Sequence, residues 1–256
     1  MAFTTLSVTR RERILHVVLR RPERRNALTR TMIDELHAAL DVAEAEEGVR
    51  LLVLSGEGET FCSGMDFVDA AGAEGDASSL KPTIEAFYGL MERFTTSSTV
   101  VVAFVTGRVT AGGVGLVAAS DYAIAASHVS FQLSEVVFGL LPATVAPFMI
   151  RRCGMQAAFR LSLTAQRIDA ERASAIGLVD EVADAPQEAL RRFLIRVARL
   201  DPGCVAELKG LFRDMWIVND ETRRLAVEAI TRRILEPKTA LAIQDFMQQA
   251  DPSWRT

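Results

Sequence analysis

Apolar positions along the chain alternate between short unbroken or period-two runs and stretches spaced by three to four. Residues 5–9 and 14–19 are rich in β-branched and aliphatic side chains around a charged stretch at 10–13, which predicts a hairpin. Arg21-Pro22 halts the second strand, because proline cannot donate to a ladder. Met32, Leu36, Ala39, Leu40 and Ala43 then share a helical face up to Gly48. Thr31 is the expected cap of that helix, with Asp34 near the positive end of its dipole. A buried strand at 51–54 runs into the Gly56-Glu57-Gly58 turn. The rhythm repeats with a helix over 84–94, a strand at 100–105, a glycine-rich turn and an apolar helix at 114–119. Short strands follow at 122–126 and 130–132. Such alternation predicts an α/β fold with parallel pairing and crossover helices. Beyond Pro142 helical spacing dominates, at 144–153, 156–163, 169–176, 187–199, 205–218, 222–235 and 239–248. Residues 70–79 read as a loop, and the residues show no internal repeat.

Composition narrows the classes. With 256 residues, 49% of them apolar, the chain can build a continuous core without disulfides or a structural metal. Arginines cluster at 20, 21, 24 and 25 and at 191, 192, 196 and 199, yet acidic stretches such as Glu44, Glu46 and Glu47 bring the net charge to −4. That balance argues against nucleic acid as a partner. Cys62, Cys153 and Cys204 are widely spaced with no CxxC pair, which predicts free thiols in a reducing compartment and no zinc site. His16, His37 and His128 are too few for a histidine-rich metal centre. His16 reads as structural within a strand, His37 as lying on the exposed side of the first helix, and His128 as a turn residue without a partner. There is no leader pattern at Met1–Val8 and no apolar run of bilayer length, so the expectation is a cytoplasmic protein with no membrane contact.

The chemistry concentrates at two turns. The strand at 51–54 leads through Phe61-Cys62-Ser63-Gly64-Met65-Asp66-Phe67, and the strand at 100–105 leads through Gly107 to Ala111-Gly112-Gly113-Val114-Gly115. Both place glycine at a strand end, where backbone N–H groups could face one crevice, and the second turn opens a helix. Two amides aimed at one point would hold a developing oxyanion. The same glycines could equally serve only close packing.

Taken in order, Arg21-Pro22-Glu23-Arg24-Arg25-Asn26-Ala27-Leu28, the turn from Phe61, Gly107 with Ala111 to Gly115, Ser120-Asp121, Ser134-Glu135 before Gly139-Leu140, and Ala173 with Ile176-Gly177-Leu178-Val179-Asp180-Glu181-Val182 resemble the crotonase (enoyl-CoA hydratase/isomerase) superfamily. The resemblance runs through most of the chain. It implies a crotonase-type spiral of ββα repeats with a helical C-terminal region, divided as a core at 1–195 and a trimerisation region at 196–256. It implies oxyanion amides at Met65 and Gly112, substrate contacts at Met65, Asp66, Phe67, Val68 and Gly112, and a homo-oligomer, trimer or dimer of trimers.

Two departures from the family pattern sharpen the expectation. Hydratases of the family use two glutamates; Gly115 stands at the first position, and Glu135 matches the second. Glu135 and Asp66 are therefore the candidate acid and base, Asp66 with the competing reading of a loop anchor. Glu135 sits between Phe131 and a Val-Val-Phe run, where desolvation would raise its pKa. The Ala-Phe-x-x-Lys-Arg stretch that meets coenzyme A phosphates is replaced by Phe246-Met247-Gln248-Gln249, which suits a pantetheine on a carrier protein. Residues 105–115, 131–143 and 147–152 resemble the dehydratases of polyketide β-branching cassettes. Those imply removal of water from 3-hydroxy-3-methylglutaryl-acyl carrier protein, with no cofactor beyond the phosphopantetheine or coenzyme A that carries the substrate, and no metal. Lys81 and Arg108 are candidates for the distal carboxylate. The alternatives are isomerisation, decarboxylation or hydration of an acyl-CoA, and a non-catalytic crotonase-like scaffold.

Overall fold

The computed structural model describes residues 3–46, 48–66, 80–197, 199–216, 218–239 and 241–242. Strands β1 (Leu6–Arg11) and β2 (Ile14–Leu19) form the antiparallel hairpin, with Leu6 opposite Leu19. Helix α1 (Arg30–Ala45) follows. Its cap is Thr29 rather than Thr31: the Thr29 hydroxyl accepts from the Met32 N–H at 3.1 Å. Leu28 is held extended by pairing with the chain at Met65, so the helix starts directly afterwards.

Two sheets then grow in step. Strands β3 (Leu51–Gly56), β5 (Val100–Val105) and β7 (Tyr122–Ala126) enter a large sheet, and each is followed by a short strand of a second sheet: β4 (Thr60–Cys62), β6 (Arg108–Thr110) and β8 (Ser130–Gln132). Helix α2 (Leu80–Thr96) follows β4, α3 (Gly112–Ala119) follows β6 and α4 (Ala146–Thr164) follows β8. Each ββα unit thus repeats one turn of a spiral. β9 (Ile168–Asp169), α5 (Ala170–Ala175), β10 (Glu181–Ala183) and α6 (Pro186–Val197) complete the core. The large sheet has the order β1-β2-β3-β5-β7-β10, parallel from β2 onward, and the small sheet has the order β4-β6-β8-β9.

The unbroken apolar run of β3 is explained by burial on both faces. Leu52 and Leu54 enter the main core, while Leu51 and Val53 meet Leu190 and Phe193 of α6. Helices α7 (Pro202–Asp214) and α8 (Asp220–Ile234) come last. Both pack against α2, and α8 joins Val227, Ile230 and Ile234 to Leu80, Ile84 and Leu140. Trp216 meets Phe148 edge-on at 5.5 Å, while Phe212 is exposed. His37 is half-buried, contacting Ala86 O and Arg93 rather than facing water. His128 contacts Thr106 O at 3.2 Å. Among the described residues no helix is long and apolar enough to cross a membrane. The expected loop at 70–79 lies outside the described residues.

Candidate active site

The turn after β4 is pinned by Leu28. The Leu28 N–H donates to Gly64 O at 2.8 Å, and the Asp66 N–H donates to Leu28 O at 2.9 Å. In extended chain, neighbouring peptide groups point to opposite sides, so the Met65 N–H faces away from Leu28. Gly64 has φ 96°, and a Cβ there would lie 2.7 Å from the Ala111 Cβ and 3.1 Å from the Gly112 N. The two turns therefore abut backbone to backbone, and only glycine at 64 permits it. Thr110 adds a hydroxyl bond to Ser63 O at 3.1 Å.

On the second turn Ala111 is strained, with φ 47° and ψ −123°. Such a conformation costs a non-glycine residue ~1–3 kcal/mol. It sets the peptide plane ahead of Gly112, the first residue of α3, whose N–H has no intrahelical partner and lies at the positive end of the helix. The turn is held by the Ala111 N–H donating to Gln132 O at 2.9 Å.

Met65, Ala111 and Gly112 form one wall of a cavity of about 50 Å³. Ile84 and Phe87 of α2 and Ile230 and Ile234 of α8 form another. Glu135, Leu140, Thr144 and Val145 close it. Glu135 opens a 3-10 turn, Glu135–Phe138, and is 9% exposed. Burial pushes its carboxyl up to about 7, against the pull of the Glu135 and Ser134 backbone N–H groups. Its Oε2 has no hydrogen-bond partner among the described residues. A carboxyl in this state can take or give a proton near neutral pH.

Of the residues singled out from sequence, Met65, Gly112 and Glu135 meet around this one cavity. Asp66 is not among its lining residues: its Oδ2 lies 3.2 Å from Arg21 Nη1 and its Oδ1 lies 3.8 Å from Arg24 Nη2. Phe67 and Val68 fall outside the described residues, as does the stretch from Phe246 to Gln249. Lys81 lies 3.9 Å from Glu85, Arg108 is exposed, and neither lines the cavity. A Cβ at Gly115 would meet Met91 Sδ at 2.9 Å and Val145 Cγ2 at 3.1 Å, so apolar groups occupy the place of a first glutamate. Cys62 is fully buried and its thiol is pushed up to about 12 by that burial, which leaves it inert as a nucleophile. Ile230, Ile234 and Thr144 are among the lining residues that the sequence did not single out. Ile230 and Ile234 form a one-turn stripe that was legible as amphipathic but not as facing a site. Thr144 is a lone hydroxyl in the apolar stretch after Pro142.

The chain matches the enoyl-CoA hydratase/isomerase family over residues 9–255. It is 31% identical over 254 residues to the bacillaene synthase dehydratase PksH of Bacillus subtilis (strain 168), covering 99% of this chain and 98% of that protein. It is 32% identical to the enoyl-CoA hydratase ACTT6 of Alternaria alternata over 215 residues, 83% of this chain and 70% of that protein. The crystal structure of a polyketide biosynthesis enoyl-CoA hydratase (pksH) from Bacillus subtilis superposes with a TM-score of 0.88 at 31% identity, covering 98% of this chain and all of that one. Pseudomonas aeruginosa AtuE superposes with a TM-score of 0.79 at 34% identity over 99% of this chain and 100% of its own. The chain belongs to the enoyl-CoA hydratase/isomerase (crotonase) family and is a hydro-lyase of it.

Proposed function

We propose that this hydro-lyase removes water from 3-hydroxy-3-methylglutaryl-acyl carrier protein, giving 3-methylglutaconyl-acyl carrier protein during polyketide β-branching. The observation that carries the reading is Glu135: a neutralisable carboxyl with a free oxygen, in an apolar cavity that also receives Met65 and Gly112. The thioester carbonyl would lie against the Met65 and Gly112 N–H groups. Carboxylate Glu135 takes the α-proton and the electron pair moves onto the thioester oxygen as an enolate. Collapse of the enolate forms the Cα–Cβ double bond and expels the β-oxygen, which takes the proton from Glu135 and leaves as water. Glu135 returns to its starting form. Every step is a proton transfer or an elimination, so the phosphopantetheine that carries the substrate is the one prosthetic group involved. Asp66, between Arg21 and Arg24, serves as the anchor of the first turn.

Near full-length similarity to a dehydratase of bacillaene synthase supports the polyketide setting and a carrier-bound substrate. A cytoplasmic location fits that setting. We also infer a trimer or dimer of trimers. Exposed Met155, Phe159 and Leu163 recur every four residues on α4, and Leu208, Leu211 and Phe212 of α7 cluster with Met215, the residue that caps it. Two different apolar faces on one chain suit a ring of head-to-tail contacts.

Intact-protein mass spectrometry of 3-hydroxy-3-methylglutaryl-carrier protein tests the reading. Loss of one water with the parent enzyme, and none with Glu135→Gln, is the expected result. No loss of mass, with turnover of crotonyl-CoA instead, would assign the site to acyl-CoA hydration, the activity named for the Alternaria relative. No turnover of either would leave a scaffold role.

A further inference from the structure

The cavity that receives the two amides also holds a polar group that the scheme above does not use. Among the described lining residues only Glu135 and Thr144 have polar side chains. Thr144 is 4% exposed, and its hydroxyl makes no hydrogen bond to another described residue. Because the side chain lines the cavity and no described residue takes its hydrogen bond, a ligand group in that cavity is the natural recipient. Thr144 precedes Val145, whose methyl groups press on Gly115 and leave no room there for a carboxylate. Among the described residues, the polar side chains of the cavity therefore reduce to one ionisable group and one neutral hydroxyl.

We propose that the Thr144 hydroxyl binds the β-hydroxyl of a 3-hydroxyacyl thioester and donates a hydrogen bond to that oxygen as it leaves, so that Thr144 selects β-hydroxylated substrates. The proposal rests on the dehydratase reading. During elimination the Cβ–O bond breaks with its electron pair going to oxygen, and the proton comes from Glu135. Thr144 transfers no proton; it stabilises the oxygen on which charge collects, and a threonine hydroxyl can do so because it donates and accepts at once. Apart from Glu135 and Thr144, the described lining side chains are apolar and cannot bond a β-hydroxyl. A site that bonds a substrate hydroxyl discriminates strongly against the analogue that lacks it.

Two reactions of the intact enzyme separate this role from a structural one. The first is dehydration of a 3-hydroxyacyl thioester. The second is wash-in of deuterium at the α-carbon of the matching thioester without a β-hydroxyl, which needs the amides and Glu135 alone. Thr144→Val keeps the shape and removes the hydroxyl; Thr144→Ser keeps the hydroxyl. The expected result is a ratio of dehydration to exchange at least tenfold lower in Thr144→Val and restored in Thr144→Ser. A ratio unchanged in Thr144→Val, whether both rates fall together or neither does, overturns the proposal. A parent enzyme that performs neither reaction overturns the dehydratase reading itself, a distinct outcome.

Discussion

Burial of Glu135 has opposite effects on activity and stability. Its carboxyl is raised to about 7 in the folded chain, so the folded state holds the proton more tightly than the unfolded one. Stability from this group is full at acid pH, below the ordinary carboxyl value, and is lost as the pH rises through about 7. Glu135→Gln, neutral throughout, is expected to melt above the parent at pH 8, with the gap closing towards pH 5. Dehydration should meanwhile fall by ~10²–10⁴. Thermal melts at the two pH values together with turnover check this; a variant melting no higher at pH 8 argues against a buried carboxylate. Because the α-proton goes to the ionised form, kcat/KM of the parent should drop tenfold per pH unit below about 7. At Gly115, substitution by alanine should cost ~1–3 kcal/mol, read in denaturant unfolding, because Met91 and Val145 have to shift. Glu135 was legible in the sequence because an ionisable residue interrupts an apolar run. The loop-anchor reading of Asp66 was open in the sequence but its partners were not, since Arg21 and Arg24 lie over 40 positions away and only the fold brings them near. The strain at Ala111 left no trace at all, because alanine gives no hint of a positive φ.

Among the elements, α7 bears the main polar fastening between the C-terminal helices and the sheets. Lys209 Nζ donates to Phe94 O at 3.0 Å and Thr99 O at 2.9 Å and reaches Asp121 Oδ2 at 2.6 Å. Asp121 Oδ2 also accepts from the Val101 N–H at 2.7 Å. Removing one member of a buried ion pair costs ~3–5 kcal/mol. Lys209→Met should therefore lose stability on that scale and speed hydrogen exchange in α7 and α8, and adding Asp121→Asn should recover much of the loss. Unchanged exchange in both helices would show that the ion pair does not hold them. Long elements were readable in advance, since a helix or a six-residue strand repeats its pattern often enough to count. Strands β4, β6 and β9 of the second sheet have two or three residues, too few for a period to emerge, so of that sheet β8 alone was read in advance. Helix α4 appeared in the pattern as two helices because Gly154, with φ 75° and ψ 163°, breaks it.

At the scale of the whole molecule, the C-terminal helices contribute to the site as well as to the surface. Ile230 and Ile234 of α8 complete the cavity, while α7 keeps exposed apolar side chains. Phe212→Glu combined with Phe159→Glu should convert the oligomer to a monomer in light scattering with the fold intact by circular dichroism; a monomeric parent would refute the assembly. The overall architecture followed from the order of family segments, whereas the juxtaposition of two turns nearly fifty residues apart depends on β4 lying beside β6. That juxtaposition is most directly tested by isotope-edited infrared spectroscopy of a bound saturated thioester carrying a carbon-13 carbonyl. With the Met65 and Gly112 N–H groups both on the carbonyl oxygen, its band should move to lower frequency than in water, in the parent and in Glu135→Gln alike. A bound thioester whose carbonyl band stays at its position in water would contradict the oxyanion site.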